Sequence, residues 1–146
     1  IDEQLVWSLI YEESFFRSGA RGEADEVGLM QVTPLVAKEW AQETGLTEIE
    51  RQVNNNVYEF LSDPENNLRV GCWYYEKLRE RYRGYPAETA MTLAAYNAGA
   101  SRVEEWSREA SLGTLSEAAF VERIAIPSTR EYVLSILARY RKSAKK

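Results

Sequence analysis

Apolar residues recur early in the chain at Leu5, Val6, Leu9, Ile10 and Phe16, the spacing of one face of a helix. With Asp2 as N-cap, this predicts a helix running to about Arg17. Gly19 and Gly22 then mark a loop that reaches Gly28. Thr33-Pro34 joins an N-cap to a proline at the first helical position, and Gly45 is a good stop. The pattern from Leu46 to Phe60 is less regular, and Asn54-Asn55-Asn56 predicts a break. Asp63-Pro64 opens another helix, closed by Gly84. Pro86 starts one that ends at Asn97-Ala98-Gly99. Ser101 begins a short helix through Trp106, and Ser116 caps a segment to about Arg123. Ser128 caps a last helix through about Arg141. No stretch alternates apolar and polar residues long enough to read as a strand. The expected fold class is all-α.

Composition narrows the choices. The 146 residues are 45% hydrophobic and 28% charged, an ordinary globular balance for one domain over 1–146. No repeat, linker or composition break divides them. A net charge of −5 argues against a nucleic-acid partner. The basic tail (Arg139, Arg141, Lys142, Lys145, Lys146) reads as a solvated helix end. No apolar run approaches the roughly 18–20 residues of a membrane span. Numbering from Ile1 suggests excision from a longer precursor. With no histidine, His-dependent triads, Cys-His dyads and His-ligated metals are excluded. One cysteine, Cys72, allows no intrachain disulfide and is expected as a small buried hydrophobe. Any chemistry must come from carboxylates, hydroxyls, amides or lysine.

Glu13 breaks the first helix's pattern. It falls near the middle of the apolar stripe, at i+3 from Ile10, i+4 from Leu9 and i+7 from Val6, with Glu12 at the stripe's edge. A carboxylate there is costly unless paired or protonated. One reading is an ion pair, or a helix end that has left the core. The other is an acid with a raised pKa, ready to donate a proton. Further on, Gly28-Leu29-Met30-Gln31 follows the loop, where Gln31 reads either as a solvent-facing amide, the default, or as one aimed to the side of Glu13. Asn97 reads equally as a C-cap. Gly71 within a helix reads as close packing. Trp7, Trp40, Trp73 and Trp106 read mostly as core, with sugar stacking as the alternative.

Taken together, Glu13-Ser14, Gly28-Leu29-Met30-Gln31, Asn67-Leu68-Arg69-Val70-Gly71 with Tyr74, Ala94-Ala95-Tyr96-Asn97-Ala98-Gly99 and Thr129-Arg130-Glu131-Tyr132-Val133 carry a resemblance. In this order they resemble the motifs of the soluble lytic transglycosylases with a goose-type lysozyme-like fold, from about Val6 to Leu137. The resemblance implies a helical domain with a substrate groove and Glu13 at its floor. It implies cleavage of the β-1,4 bond between N-acetylmuramic acid and N-acetylglucosamine in peptidoglycan, leaving a 1,6-anhydromuramoyl end. Glu13 would be the catalytic acid and base. Ser14, Met30, Gln31, Tyr96, Asn97 and Tyr132 would bind substrate or line the site. No cofactor or metal is implied. The expected setting is a monomer on peptidoglycan strands, periplasmic, extracellular or phage-associated.

The chain also departs from that family's pattern. Gly22 replaces a serine that can touch a substrate acetamido group, and Ala24 a second serine. Asp25-Glu26 replaces Gly-Ala ahead of the Gly28–Gln31 motif. In Ile124–Arg130 the family's proline, aromatic and glutamate are all changed, and Ser128 stands in place of the glutamate. Asp25 or Glu26 activating water would make the chain a hydrolytic muramidase instead. A non-catalytic peptidoglycan-binding module is the other alternative.

Overall fold

The computed structural model describes all 146 residues, Ile1–Lys146. It contains nine α-helices and no strand, so the all-α expectation holds. The extended pairing consists of the isolated bridges Arg21–Val27 and Val27–Val32. No helix is long and apolar enough to cross a membrane. The chain divides into two compact units, Ile1–Tyr74 and Tyr75–Lys146.

The first unit opens with α1 (Glu3–Ser14). Asp2 caps it as expected, accepting the N–H of Gln4 at 2.8 Å and of Leu5 at 3.3 Å. The helix ends three residues before the predicted Arg17. Phe15 and Phe16 both take the left-handed conformation, at φ 52° and 61°. Each such residue costs about 1–2 kcal/mol without a glycine. Ring contacts offset part of that: Phe15 lies 5.0 Å from Tyr11, and Phe16 lies 5.2 Å from Trp7. Phe16 is therefore exposed and does not extend the apolar stripe, which consists of Leu5, Leu9 and Ile10.

Helix α2 (Pro34–Thr44) has the Thr33 cap, the Pro34 start and the Gly45 stop read from sequence. Helices α3 (Thr47–Asn55) and α4 (Val57–Ser62) are separated at Asn56, where the asparagine run predicts a break. Asn56 caps α4 through the N–H of Glu59 at 3.1 Å. Helices α2, α3 and α4 pack on one another, with Trp40 and Phe60 rings 5.8 Å apart. Val27, Met30, Ala37, Val53, Leu61 and Val70 are fully buried. Helix α5 (Pro64–Tyr82) begins in this unit.

The second unit is built on α6 (Glu88–Ala98), whose residues Ala90 to Ala95 are all buried. A helix apolar on every side needs neighbours on every side. Helices α7 (Ala100–Trp106), α8 (Glu117–Arg123) and α9 (Pro127–Ala144) supply them. Three boundaries differ from expectation. Pro86 lies in a turn two residues before α6, closed by Glu88 N–H to Tyr85 O at 3.0 Å. Gly99, at φ 95°, is the cap of α6, so Asn97 is an ordinary helical residue. Ser128 does not cap α9, because Pro127 already occupies its first turn and Ile126 is the N-cap.

The four tryptophans divide. Trp106 is buried, Trp40 and Trp73 are half-buried, and Trp7 is exposed. Trp73 donates its indole N–H to Glu43 at 3.1 Å. Cys72 is half-buried instead of buried, with its sulfur 4.0 Å from that of Met30.

Candidate functional site

The site in the first unit starts where α1 stops. Glu13 sits in the last turn and is half-buried, while Glu12 is exposed. Glu13 is centred on the buried arc of α1, between Leu9 and Ile10, as its spacing predicts, but at the arc's C-terminal end, because the helix ends one residue later. Ser14 is buried. Its hydroxyl lies 2.8 Å from the Leu29 carbonyl and 3.2 Å from that of Ile10. One proton serves two acceptors, and the shorter contact ties the end of α1 to the Gly28–Gln31 segment. Ser14 thus acts as a strut behind Glu13.

Gly28-Leu29-Met30-Gln31 forms a tight turn. Val27 and Val32 close it with reciprocal N–H to carbonyl bonds of 2.9 and 3.0 Å. Gly28 is needed there for two reasons. Its φ is 79°, and a Cβ would stand 2.3 Å from Asn67 Nδ2 and 2.8 Å from the Leu61 carbonyl. Met30 is fully buried against Gly71, so it forms the underside of the turn. Gln31 is half-buried at φ 49°. Its amide nitrogen donates to the carbonyls of Gly28 at 3.0 Å and Ala20 at 3.2 Å. Those two acceptors fix which end of the amide is which.

Asn67 stands in one of the motifs, with no role evident from the sequence. The structure makes it the post beneath the turn. It is fully buried on α5. Its Oδ1 accepts the Met30 N–H at 2.8 Å, and its Nδ2 donates to Val27 at 2.8 Å and Leu61 at 2.9 Å. A signal for it exists in the sequence: Asn67 shares a helical face with Val70 and Gly71. An amide on an apolar face needs partners there.

Gly71 serves close packing, as its helical position predicts. A Cβ there would stand 2.4 Å from the Met30 sulfur and 2.8 Å from Met30 Cβ. Alanine favours a helix by about 1 kcal/mol over glycine. Overpacking costs about 1–3 kcal/mol, and Met30 Cβ cannot swing away as its sulfur can. Gly71→Ala is therefore expected to lower stability by about 1 kcal/mol. Urea denaturation checks this, and a raised midpoint would contradict it.

The acidic loop is locally engaged. Asp25, at φ 70°, accepts the Tyr58 hydroxyl at 2.7 Å and lies 3.8 Å from Arg21. Arg21 also lies over the Tyr58 ring, 4.3 Å from its centroid. The bond to Asp25 is the main cause that holds the Tyr58 pKa above its ordinary value.

Three expected site residues lie in the second unit. Asn97 is exposed, and its Oδ1 accepts the Thr129 hydroxyl at 2.7 Å, joining the end of α6 to the start of α9. Tyr96 is half-buried, 6.5 Å from the Tyr75 ring. Tyr132 is buried one turn beyond Thr129. Thr129, which the sequence marks only as part of the last motif, is a positioning contact for Asn97.

Comparisons with known proteins agree with this architecture. A family model described as "Transglycosylase SLT domain" matches residues 1–115. The soluble lytic murein transglycosylase of Escherichia coli K12 is 28% identical over 138 residues, covering 94% of this chain and 20% of that protein. An inactive variant of lytic transglycosylase Slt from Pseudomonas aeruginosa superposes with a TM-score of 0.82 at 26% identity. It matches 99% of this chain and 22% of its own. The 70 kDa soluble lytic transglycosylase of Escherichia coli gives 0.77 at 25% identity, with the same coverages. The chain spans about a fifth of the length of these relatives.

Proposed function

The chain belongs to the transglycosylase SLT domain family, and from that premise we propose that it is a peptidoglycan lytic transglycosylase domain with Glu13 as its catalytic group. One observation carries the choice of residue. Glu13 is half-buried at the end of α1, and its neighbour Ser14 is bonded to the Gly28–Gln31 turn that carries the family's motif.

The reaction needs one carboxyl and no metal. Glu13 gives its proton to the glycosidic oxygen as that bond breaks. The acetamido oxygen of the muramic residue closes on the anomeric carbon, as in substrate-assisted glycosidases. Glu13, now a carboxylate, takes the proton of the C6 hydroxyl. The C6 oxygen bonds to the anomeric carbon, the acetamide is released, and a 1,6-anhydro ring remains. Acid and base are one group at successive moments.

Gln31 is proposed to meet the glycan, and Ser14 and Met30 to support the site from behind. Tyr96, Asn97 and Tyr132 are proposed as glycan-binding residues from their match to the family's motifs. Residues 1–146 are proposed to act as one catalytic domain, because the family match runs across both units. We place the domain as a monomer on peptidoglycan in the bacterial envelope.

Products test the proposal. Digestion of purified sacculi is expected to release muropeptides with anhydro ends, read by mass spectrometry. Asp25→Asn is expected to change the rate less than about threefold, because a general base would be worth about 10²-fold or more. Mostly reducing ends, with activity abolished in Asp25→Asn, would make the chain a hydrolytic muramidase.

A further inference from the structure

Arg17 is held by one edge of its guanidinium and is otherwise unengaged. It lies in the loop between α1 and the Gly28–Gln31 turn, and it is exposed. Its Nε donates to the Ser14 carbonyl at 3.2 Å. No carboxylate pairs with it, and its two terminal nitrogens donate to no protein atom. Other arginines of the first unit are occupied. Arg51 pairs with Glu48 at 3.2 Å and Arg69 with Glu65 at 2.6 Å, while Arg21 lies near Asp25 and over the Tyr58 ring. The bond through Nε orients the planar fork and leaves its outer end available.

That end of the loop lines a cavity of about 380 Å³, formed by Arg17, Gly19, Ala20 and Arg21. Ligand pockets begin at about 300 Å³. Both charged side chains on its wall are cations. The backbone N–H groups of Gly19 and Arg21 donate to no carbonyl in the protein. A Cβ at Gly19 would meet nothing within 4 Å, so the wall is open there. Asp25 offsets part of the Arg21 charge, which makes Arg17 the stronger ligand. A second cavity of the same unit, about 650 Å³, is lined by Glu59, Asp63 and the amides of Gln52, Asn55, Asn56 and Asn66, with no cation. Of the two, only the arginine-lined one favours an anion. It also adjoins the proposed acid. Arg17 holds the carbonyl of Ser14, the residue after Glu13, and the Ala20 carbonyl accepts Gln31 Nε2 at 3.2 Å.

We propose that this cavity is a carboxylate subsite, with Arg17 as its principal ligand, which selects peptidoglycan strands bearing free carboxylates over amidated ones. The inference rests on the lytic transglycosylase reading, which supplies the substrate. The lactyl ether of muramic acid ends in a carboxyl group, and a peptide stem attached there carries others. Either presents the planar anion that a guanidinium binds through two parallel bonds.

The test is binding by Glu13→Gln, which cannot turn over. Two pairs of tetrasaccharides of alternating N-acetylglucosamine and N-acetylmuramic acid are titrated calorimetrically at low salt. One pair has bare lactyl groups, as acid and as amide. The other carries L-alanyl-D-glutamate, as diacid and as diamide. In at least one pair the acid is expected to bind about fivefold tighter, the worth of an exposed charge pair. The pair that shows it identifies the source of the carboxylate. Adding Arg17→Gln is expected to bring that ratio below about twofold, and Arg17→Lys to keep part of it, since lysine retains the charge without the fork. Arg51→Gln removes an exposed arginine elsewhere on the unit and is expected to leave the ratio unchanged. Circular dichroism melts of these variants are expected to match the parent's. A ratio of about one in both pairs, a preference for the amides, a ratio that survives Arg17→Gln, or an equal fall in Arg51→Gln would overturn the proposal. If anhydro products are still released by the parent, only the proposal fails. A parent that binds no tetrasaccharide and releases no anhydro products would overturn the functional reading with it.

Discussion

Glu13→Gln is expected to lower the rate of sacculus cleavage by about 10³-fold or more and to leave folding intact. The substitution keeps the shape and removes the transferable proton. General acid or base catalysis is worth about 10²–10⁴-fold in one step, and the proposed mechanism uses the same group in two. Glu13 is half-buried at a helix end, so an amide of the same size is accommodated without a new void. Its thermal unfolding midpoint should stay within a few degrees of the parent's. Glu12→Gln is the control. Glu12 is adjacent in sequence but exposed, about 100° around the helix, and its loss should change the rate by less than about twofold. The readout is the fall in turbidity of purified sacculi, beside circular dichroism melts. Equal losses from both substitutions would show that Glu13 is not the acid.

The second large effect is on stability. Asn67→Ala removes three buried hydrogen bonds at once and strands the Met30 N–H and the Leu61 carbonyl, while the Val27 carbonyl keeps the Val32 N–H. Each buried group left unsatisfied costs about 1–3 kcal/mol. The two share one site and are not additive, so about 2–4 kcal/mol in total is expected. Native domains hold only about 5–15 kcal/mol, so much of the margin is lost. Urea unfolding measures it. Asn67→Asp tests the assignment further: it keeps an acceptor for Met30 and loses both donors, so it too should destabilise strongly. A loss below about 1 kcal/mol in the alanine variant would mean that water replaces all three contacts.

Much of the helical frame was legible because its punctuation is chemical. Asp2, Thr33-Pro34, Gly45, Asn56 and Ser116 each terminate or start a helix through a specific bond or torsion. Where the reading slipped, a tertiary contact outweighed a local preference. Phe15 and Phe16 carry no sequence mark of a left-handed turn, and their ring contacts with Tyr11 and Trp7 help to hold it. Ser128 looks like a cap until Pro127 is seen to take the first turn. The family's motifs were legible in the sequence, yet what each of their side chains touches was not. Ser14 and Met30 carry the same family signal as Gln31, but both are buried. Only spatial packing distinguishes a wall from a face. The role of Asn67 depends on contacts across loops, which no single-helix periodicity encodes.

The turn that carries Gln31 is anchored by residues outside the stretch from Gly22 to Glu26. Ser14 holds it through Leu29, Asn67 through Val27 and Met30, and Ala20 through Gly28 and Gln31. None of these anchors lies between Gly22 and Glu26. Mutational drift in that short stretch can therefore proceed without moving the acid or the motif turn. Substitution there is expected to change the loop's surface one side chain at a time, with the motif turn and the end of α1 held in place.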